Sequence, residues 1–186
     1  MKLIVVPLCA LIVTPCFSAQ AHRLGGQAEE RSVRRFVQGF YDWYVALKDG
    51  RESPLEVAVK RRRSDFGPAL WRALREDLAA QAKSPGEVVG LDWDPFLASQ
   101  DPDPHYSVGA IKHKGGIYFV SVRGVAAGKP PGETVVIPKV EKHQGSWKFT
   151  NFLYPKSDDL LDTLRLLRQD RMPHRPGKPT AGSVHG

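Results

Sequence analysis

Four aspartates close together in the chain are the residues best suited to bind a hard cation: Asp92, Asp94, Asp101 and Asp103. Calcium binds about six to eight oxygen ligands, and carboxylates supply the oxygens it prefers. In the EF-hand pattern counted from Asp92, a ligand is needed where Phe96 stands and a glycine where Leu97 stands. We therefore predict no metal site, and an irregular calcium site is the alternative.

The stretch Gly90–Pro104 is predicted to be an ordered loop. Its prolines and aspartates disfavour a helix or an inner strand, while its aromatic residues are unusual in a flexible linker. We expect Asp94 and Asp101 to use their carboxylates as turn and cap acceptors, with Trp93 and Phe96 packed into the core. If the loop instead binds a partner, the expected contact residues are Trp93, Asp94, Phe96, Gln100 and Asp101.

Six side chains have types that could supply a general acid and a general base: Tyr41, Tyr44, Asp92, Asp94, His105 and His113. An isomerase of the ketosteroid type needs an aspartate base and a tyrosine donor in an apolar cavity. Nothing in the spacing shows that these side chains converge, and tyrosines at helical spacing on an apolar face are usually core residues. We predict no catalytic residue and keep an acid–base enzyme as the alternative.

The remaining motifs favour no enzyme class and no cofactor. Ser32, Ser53 and Ser64 lie near predicted helix starts and are interpreted as N-caps, because no Gly-x-Ser-x-Gly motif occurs. The glycines at 115–116 and 128–132 belong to turns and match no nucleotide-binding fingerprint. The histidines lack paired spacing, so none is predicted to bind metal.

The strongest charge feature is the run Lys60-Arg61-Arg62-Arg63, in a chain whose formal net charge is +7. In an exported protein these cations could bind anionic lipid headgroups or an acidic surface of a protein partner. We favour a solvated helix end, where cations complement the negative end of the helix dipole. Contact with a membrane surface stays open as an alternative.

The N-terminus has the three parts of a secretory signal peptide: Lys2, an apolar run from Leu3 to Phe17, and the ending Ala19-Gln20-Ala21. The run is shorter than the roughly 20 apolar residues of a membrane-spanning helix. We predict cleavage after Ala21.

Both cysteines, Cys9 and Cys16, lie inside this segment, so the mature chain has none. Disulfides, zinc–thiolate sites and a cysteine nucleophile are therefore excluded from it. Lipidation of Cys16 is the less favoured alternative, because Pro15 precedes it. We expect a periplasmic or secreted protein, and export argues against nucleic acid as the partner of this basic chain.

Cleavage leaves enough chain for one ordinary domain with a sizeable core. Residues 22–28 are predicted to form a flexible leader and 29–171 a single domain. Residues 172–186, rich in proline, glycine and histidine, are predicted to be a disordered tail. The sequence predicts no oligomeric state.

Apolar residues at spacings of three and four predict helices before the loop. The clearest covers 29–48, a shorter one 54–63, and a third begins at Ser64 and ends before Ser84-Pro85-Gly86. Near the C-terminus, the residues 157–159 are expected to cap a helix over 159–170.

After the loop the apolar period changes to two, which predicts four antiparallel strands joined by turns. The first strand alternates through Tyr106, Val108 and Ala110. The third contains Pro138, so that an edge position or a bulge is expected there. The fourth is predicted to carry Trp147, Phe149, Asn151 and Leu153 on one face. Helices, an antiparallel sheet and a last helix make the predicted fold class α+β.

Three segments stand out together: the helix residues 33–41, the loop Asp94-Pro95-Phe96-Leu97-Ala98-Ser99-Gln100-Asp101, and residues 147–155. They resemble a bacterial envelope family described only as a domain of unknown function, whose members are exported or lipid-anchored. That family is similar in turn to the nuclear-transport-factor-like superfamily with its cystatin-like roll. The resemblance implies helices packed on a curved four-stranded antiparallel sheet as a cone, with a C-terminal helix.

The resemblance assigns no catalytic residue, because that superfamily includes isomerases, dehydratases, secretion-system components and non-catalytic binding domains. We expect a non-catalytic binding domain of the bacterial envelope with a protein partner. That partner is a periplasmic effector, bound as an immunity protein would bind it, or a subunit of an envelope assembly. The alternative is a ligand carrier or acid–base enzyme whose pocket in the cone is lined by Tyr41, Tyr44, Phe119 or Phe149.

Overall fold

A computed structural model of the chain describes residues 17–87, 89–156 and 158–172, with side chains described from Gly25 onward. Both cysteines, most of the predicted signal peptide and nearly all of the predicted tail lie outside these residues. Within the described part, no helix has the length and apolar character needed to cross a membrane.

Helices precede and follow one antiparallel sheet, which confirms the α+β class. The helices are α1 (Phe17–Val45), α2 (Pro54–Arg61), α3 (Pro68–Gln81) and α4 (Leu160–Asp170), with a short 3₁₀ turn at Arg63–Asp65. The strands are β1 (His105–Lys114), β2 (Ile117–Val125), β3 (Thr134–His143) and β4 (Ser146–Leu153).

The first helix begins earlier than the pattern predicts. α1 includes residues 22–28, for which the sequence predicts a flexible leader. No proline occurs in α1, so no residue removes a donor from its hydrogen-bond ladder. Alanine, glutamine, arginine and leucine, which are good helix formers, surround the weak pair Gly25-Gly26.

The third helix begins at Pro68 and not at Ser64. The Gly67 N–H donates to the Phe149 carbonyl oxygen at 2.8 Å, and Phe66 forms a short parallel bridge with Phe149. These contacts bind the chain before α3 to β4. Pro68 then occupies the first helical turn, where its missing N–H costs nothing.

The three serines interpreted as N-caps do not act as caps. Ser53 precedes α2 without a side-chain cap bond, and Ser64 lies in the 3₁₀ turn. Ser32 lies inside α1, where its Oγ accepts a hydrogen bond from Trp147 Nε1 at 2.9 Å. Asp159, by contrast, caps α4 as predicted, since its carboxylate accepts a hydrogen bond from the Asp162 N–H at 3.0 Å.

The four strands form a meander in the order β1-β2-β3-β4. α1 packs on β1 and β2, while α3 and α4 pack on β4 and on each other. The helices therefore cover the inner face of the sheet from one edge strand to the other.

Of the three register shifts in the sheet, two change the side chains that were predicted to point inward. In β1, Val108 pairs with Val122 but Ile111 pairs with Val120. Because of the extra residue, Ile111 follows Val108 as the next side chain that packs on the core. Ala110, which was predicted to alternate with Tyr106 and Val108, is exposed.

A second shift occurs between β3 and β4, where Thr150 is the extra residue. Phe152 is fully buried and takes the inward position predicted for Leu153, which is only half-buried. Asn151 is buried against the start of α4, where its Oδ1 accepts a hydrogen bond from the Leu161 N–H at 3.1 Å. Pro138 lies in an inner strand and is paired with Phe152, so the predicted edge position is wrong, and the bulge beside it is in β4 and not at Pro138.

Aromatic rings fill the space between α1 and the sheet. The Phe40 ring lies at the centre, 4.8 Å from the Phe149 centroid and 5.4 Å from that of Phe96. Tyr41 and Tyr44 are buried in the same cluster. Phe119 is only half-buried, on the strand positions that alternate with the core residues of β2. The side chains expected to line a pocket in the cone thus pack against one another or lie outside it.

Candidate functional site

Three tyrosines bind the Asp-Pro-Phe-Leu loop to the core. Tyr41 and Tyr44 come from α1, and Tyr154 follows β4. Their hydroxyls donate to the Phe96 carbonyl at 2.9 Å, to Asp94 Oδ2 at 2.8 Å and to the Pro95 carbonyl at 2.9 Å, respectively. Because each donor stands on a packed element, the loop has a fixed position.

Asp94 organises the turn that follows it. Its Oδ1 accepts hydrogen bonds from the N–H groups of Phe96 at 2.9 Å and Leu97 at 3.1 Å, which confirms the predicted Asx turn. Ala98 adopts a left-handed conformation with φ 53°, and its N–H donates to the Asp94 carbonyl at 2.8 Å. Asp101 differs from the prediction, because its backbone, and not its carboxylate, exchanges hydrogen bonds with Ser99.

The ionisation of this cluster follows from its burial. Burial raises the pKa of the Asp94 carboxyl, while the hydrogen bonds from Tyr44 and two backbone N–H groups oppose that rise. Burial and the nearby Asp94 charge raise the pKa of Tyr44, and burial raises that of Tyr41. Both phenols therefore stay protonated at neutral pH and serve as hydrogen-bond donors.

The predicted acid–base residues do not form a catalytic set. Tyr44 and Asp94 meet, but every polar atom in this contact is used to hold the loop. His113 stacks on Tyr118 at 4.3 Å in the β1–β2 hairpin, and His105 is exposed at the start of β1. Among the described residues, no group of three or more histidines, aspartates or glutamates is placed to bind a metal ion.

An open cleft of about 840 Å³ lies between this loop and the start of α2. We call it the acidic cleft. Leu91, Asp92, Trp93, Asp94, Ser99, Gln100, Asp101 and Pro102 form one side. The other side consists of Lys48, Asp49, Ser53, Pro54, Leu55, Glu56, Leu78 and Gln81. Trp93 is half-buried there and packs edge-on against the Tyr154 ring at 4.9 Å.

The charge of the acidic cleft is opposite to that of the whole chain. Five carboxylates and one ammonium group line it: Asp49, Glu56, Asp92, Asp94, Asp101 and Lys48. A concave surface lined by one sign of charge concentrates the field inside it and attracts opposite charges. In a chain with a formal net charge of +7, this cleft is therefore a local concentration of negative charge.

Four of the five predicted loop contacts line this cleft: Trp93, Asp94, Gln100 and Asp101. The fifth, Phe96, is fully buried in the aromatic core, so its ring cannot touch a partner. Phe96 therefore packs into the core, as the favoured prediction had it. The Gln100 side chain is exposed, and its Nε2 lies 3.4 Å from the Asp92 carbonyl at the surface of the loop.

A buried ion pair beside the cleft was not predicted from the sequence. Asp77 is 1% exposed, and its carboxylate accepts hydrogen bonds from Arg171 at 2.6 Å, the Leu91 N–H at 3.1 Å and Gln81 at 2.9 Å. Arg171 also donates to the Val89 carbonyl at 2.7 Å. The pair thus connects α3, the start of the loop and the end of α4. One signal was available, since Asp77 falls on the apolar stripe of α3.

The basic run divides into two pairs with different surroundings. Lys60 and Arg61 are exposed in the last turn of α2, 3.6 Å and 4.0 Å from Glu52, as expected for a solvated helix end. Arg62 instead stacks over Trp43 at 4.7 Å, and Arg63 over Trp71 at 4.3 Å.

No protein-family model matches the sequence, and no curated protein does. Among solved structures, the chain is similar to one from the crystal structure of the type VI native effector-immunity complex Tae3-Tai3 from Ralstonia pickettii. The TM-score is 0.45 at 22% sequence identity, over 67% of this chain and 91% of that one. A likeness at this level carries no argument about function. The resemblance to an exported family of unknown function stays a prediction.

Proposed function

We propose that this chain is a non-catalytic protein-binding domain of the bacterial envelope, and that the acidic cleft receives a basic segment of its partner. The observation that supports it best is the combination of a concave surface, a fixed loop and local negative charge. Tyr44, Tyr41 and Tyr154 hold the loop before any partner arrives, so little conformational entropy is lost when it binds.

The chemistry of the cleft indicates what kind of segment fits. Asp92 and Asp101 are exposed at its rim, where lysine or arginine side chains can reach them. Trp93 and Leu91 supply apolar and aromatic surface for the stem of such a side chain or for its guanidinium group. Charged groups at a rim mainly set orientation and association rate, so we expect the affinity to depend on salt.

The two partner classes considered from the sequence remain the candidates. One is a periplasmic effector, which this domain would bind as an immunity protein does; the other is a subunit of an envelope assembly. A ligand-binding or acid–base role is less well supported, because the aromatic cluster fills the interior and the Tyr44–Asp94 contact is used structurally.

The test is site-specific photo-cross-linking in the native host. A photoreactive residue replaces Gln100 in the cleft or, as the control, Lys114, which is exposed at the end of β1. We expect a discrete cross-linked protein from position 100 and none of that species from position 114. Mass spectrometry of the product then distinguishes an effector from an assembly subunit.

Affinity for the purified cross-linked protein gives the second measurement. Reversing two rim charges with Asp92→Lys and Asp101→Lys should weaken binding about tenfold or more, since like charges then face each other. The matched control reverses two exposed charges elsewhere, with Glu133→Lys and Asp170→Lys. Equal losses in both double variants, or no cross-link at position 100, would refute the cleft as the binding site.

A further inference from the structure

A second groove lies on the other side of Glu56 and Leu78, which line both grooves. It has a volume of about 330 Å³, and Val59, Trp71 and Ala79 contribute its apolar surface. We call it the arginine groove, after Arg63 and Arg75, which also line it.

The two arginines stack on one indole. The guanidinium carbon of Arg63 lies 4.3 Å from the Trp71 ring centroid, and that of Arg75 lies 4.7 Å away. The indole Nε1 donates to the Val59 carbonyl at 3.2 Å, which prevents the ring from turning. Each guanidinium carbon thus lies over the indole ring at cation–π distance. Stacking of this kind leaves the N–H groups at the guanidinium edge available to a planar acceptor.

In the described part of the chain, no acidic side chain forms an ion pair with these N–H groups. Among the described residues, neither Arg63 nor Arg75 forms an ion pair, although six other arginines do: Arg34, Arg61, Arg62, Arg165, Arg168 and Arg171. Lys60, which also lines the groove, forms an exposed ion pair with Glu52 at 3.6 Å. The groove therefore has an excess of positive charge on preordered donors.

We infer that the arginine groove binds an acidic segment of the protein partner, through carboxylates held by Arg63 and Arg75. Arginine pairs with carboxylates through two parallel hydrogen bonds, which adds geometric selectivity to the charge. The inference rests on the proposed function, since it assigns the partner a basic segment for the acidic cleft and an acidic one beside it. A typical interface buries about 800 Å² on each partner, so contact across both grooves is expected.

A membrane surface fits this groove less well. Tryptophan stabilises membrane attachment when its ring can enter the interface between lipid and water. Trp71 is half-buried and its indole N–H is hydrogen-bonded. The guanidinium groups of Arg63 and Arg75 both lie over its ring. It therefore cannot insert without losing these contacts.

The test uses hexaglutamate as the probe and the amide and indole NMR signals of the folded protein as the readout. The indole signal of Trp71 is assigned by its absence in Trp71→Phe. Hexaglutamate should shift this signal saturably, and added salt should weaken binding. The double variant Arg63→Met, Arg75→Met should bind at least about tenfold more weakly, because two charge-assisted pairs are lost.

The control variant removes the same charge far from the groove. Lys112→Met with Lys114→Met changes two exposed lysines on β1, the strand at the opposite edge from β4, and should keep the wild-type affinity. If both double variants weaken hexaglutamate binding equally, the binding depends on the net charge of the protein and not on Arg63 and Arg75, and the inference is wrong. An unchanged Trp71 signal would overturn it too.

A third outcome would assign the groove to lipid. If vesicles of phosphatidylethanolamine and phosphatidylglycerol bind in an Arg63- and Arg75-dependent manner while hexaglutamate does not, the acidic-segment inference is wrong. None of these results depends on the rim aspartates of the acidic cleft. Failure here is therefore distinguishable from failure of the cross-linking test at Gln100.

Discussion

Replacing Arg171 with methionine should strongly destabilise the fold. The substitution removes the 2.6 Å bond to Asp77 and the 2.7 Å bond to the Val89 carbonyl. It leaves an aspartate carboxylate that is 1% exposed with only the Leu91 N–H and the Gln81 amide as donors. Breaking a buried ion pair from one side costs about 3–5 kcal/mol, because the remaining charge stays buried.

The assay is thermal and urea unfolding, with Arg168→Met in the last turn of α4 as the matched control for Arg171, the C-cap residue of that helix. For a chain of this size, 1 kcal/mol shifts Tm by about 2–4 °C, so Arg171→Met should lower Tm by roughly 6–20 °C. Arg168 pairs with Glu76 at 3.0 Å, but both side chains are largely exposed, and such pairs contribute about 0–1 kcal/mol.

The double variant Asp77→Met, Arg171→Met completes the test. Removing both charges should recover part of the lost stability, since no unpaired buried carboxylate then remains. The reasoning would be refuted if Arg171→Met cost no more than Arg168→Met, or if the double variant were less stable than the sum of the single losses.

Four further substitutions test other parts of the structure by urea or thermal unfolding. Phe96→Ala should cost about 3–5 kcal/mol, as is typical for a fully buried phenylalanine, and a loss below about 1 kcal/mol would contradict its core role. The pKa of Glu29 is lowered by its hydrogen bond from Tyr118, so Glu29→Gln should lower Tm at neutral pH. The stability that ionised Glu29 contributes is present above its unfolded pKa near 4.5 and is lost as the pH falls through its lower folded pKa. The Tm values of the variant and the wild type should therefore converge at lower pH. Gly90→Ala should destabilise, since a Cβ there would lie 2.6 Å from a side-chain carbon of the neighbouring helix, whereas exposed Gly39→Ala in α1 should stabilise by about 0.5–1 kcal/mol.

The helices and strands could be predicted from the apolar periods, because burial of one face imposes those periods on the sequence. The register shifts in the sheet could not be predicted. An extra residue in β1 or at Thr150 in β4 changes the pairing by one position, and local sequence does not show which partner residue stands opposite. The predictions for Ala110 and Leu153 were wrong for this reason.

For the candidate site, the loop was predictable and its surroundings were not. Prolines, aspartates and aromatic residues indicated an ordered turn, and the Asx turn at Asp94 was expected from the residue type. The acidic cleft also needs Asp49 and Glu56, which lie far from the loop in the sequence. Likewise, the sequence did not show that the indole of Trp71 would lie under both Arg63 and Arg75.

By itself, the sequence determined the α+β class, the order of the elements and the position of the loop, because these depend on local composition and period. Only the tertiary structure decided that three tyrosines hold the loop, that Asp77 meets Arg171, and which charges share a surface. Such contacts join residues that are distant in the chain. Local sequence does not show which of these residues meet, because only the packing of the helices on the sheet brings them together.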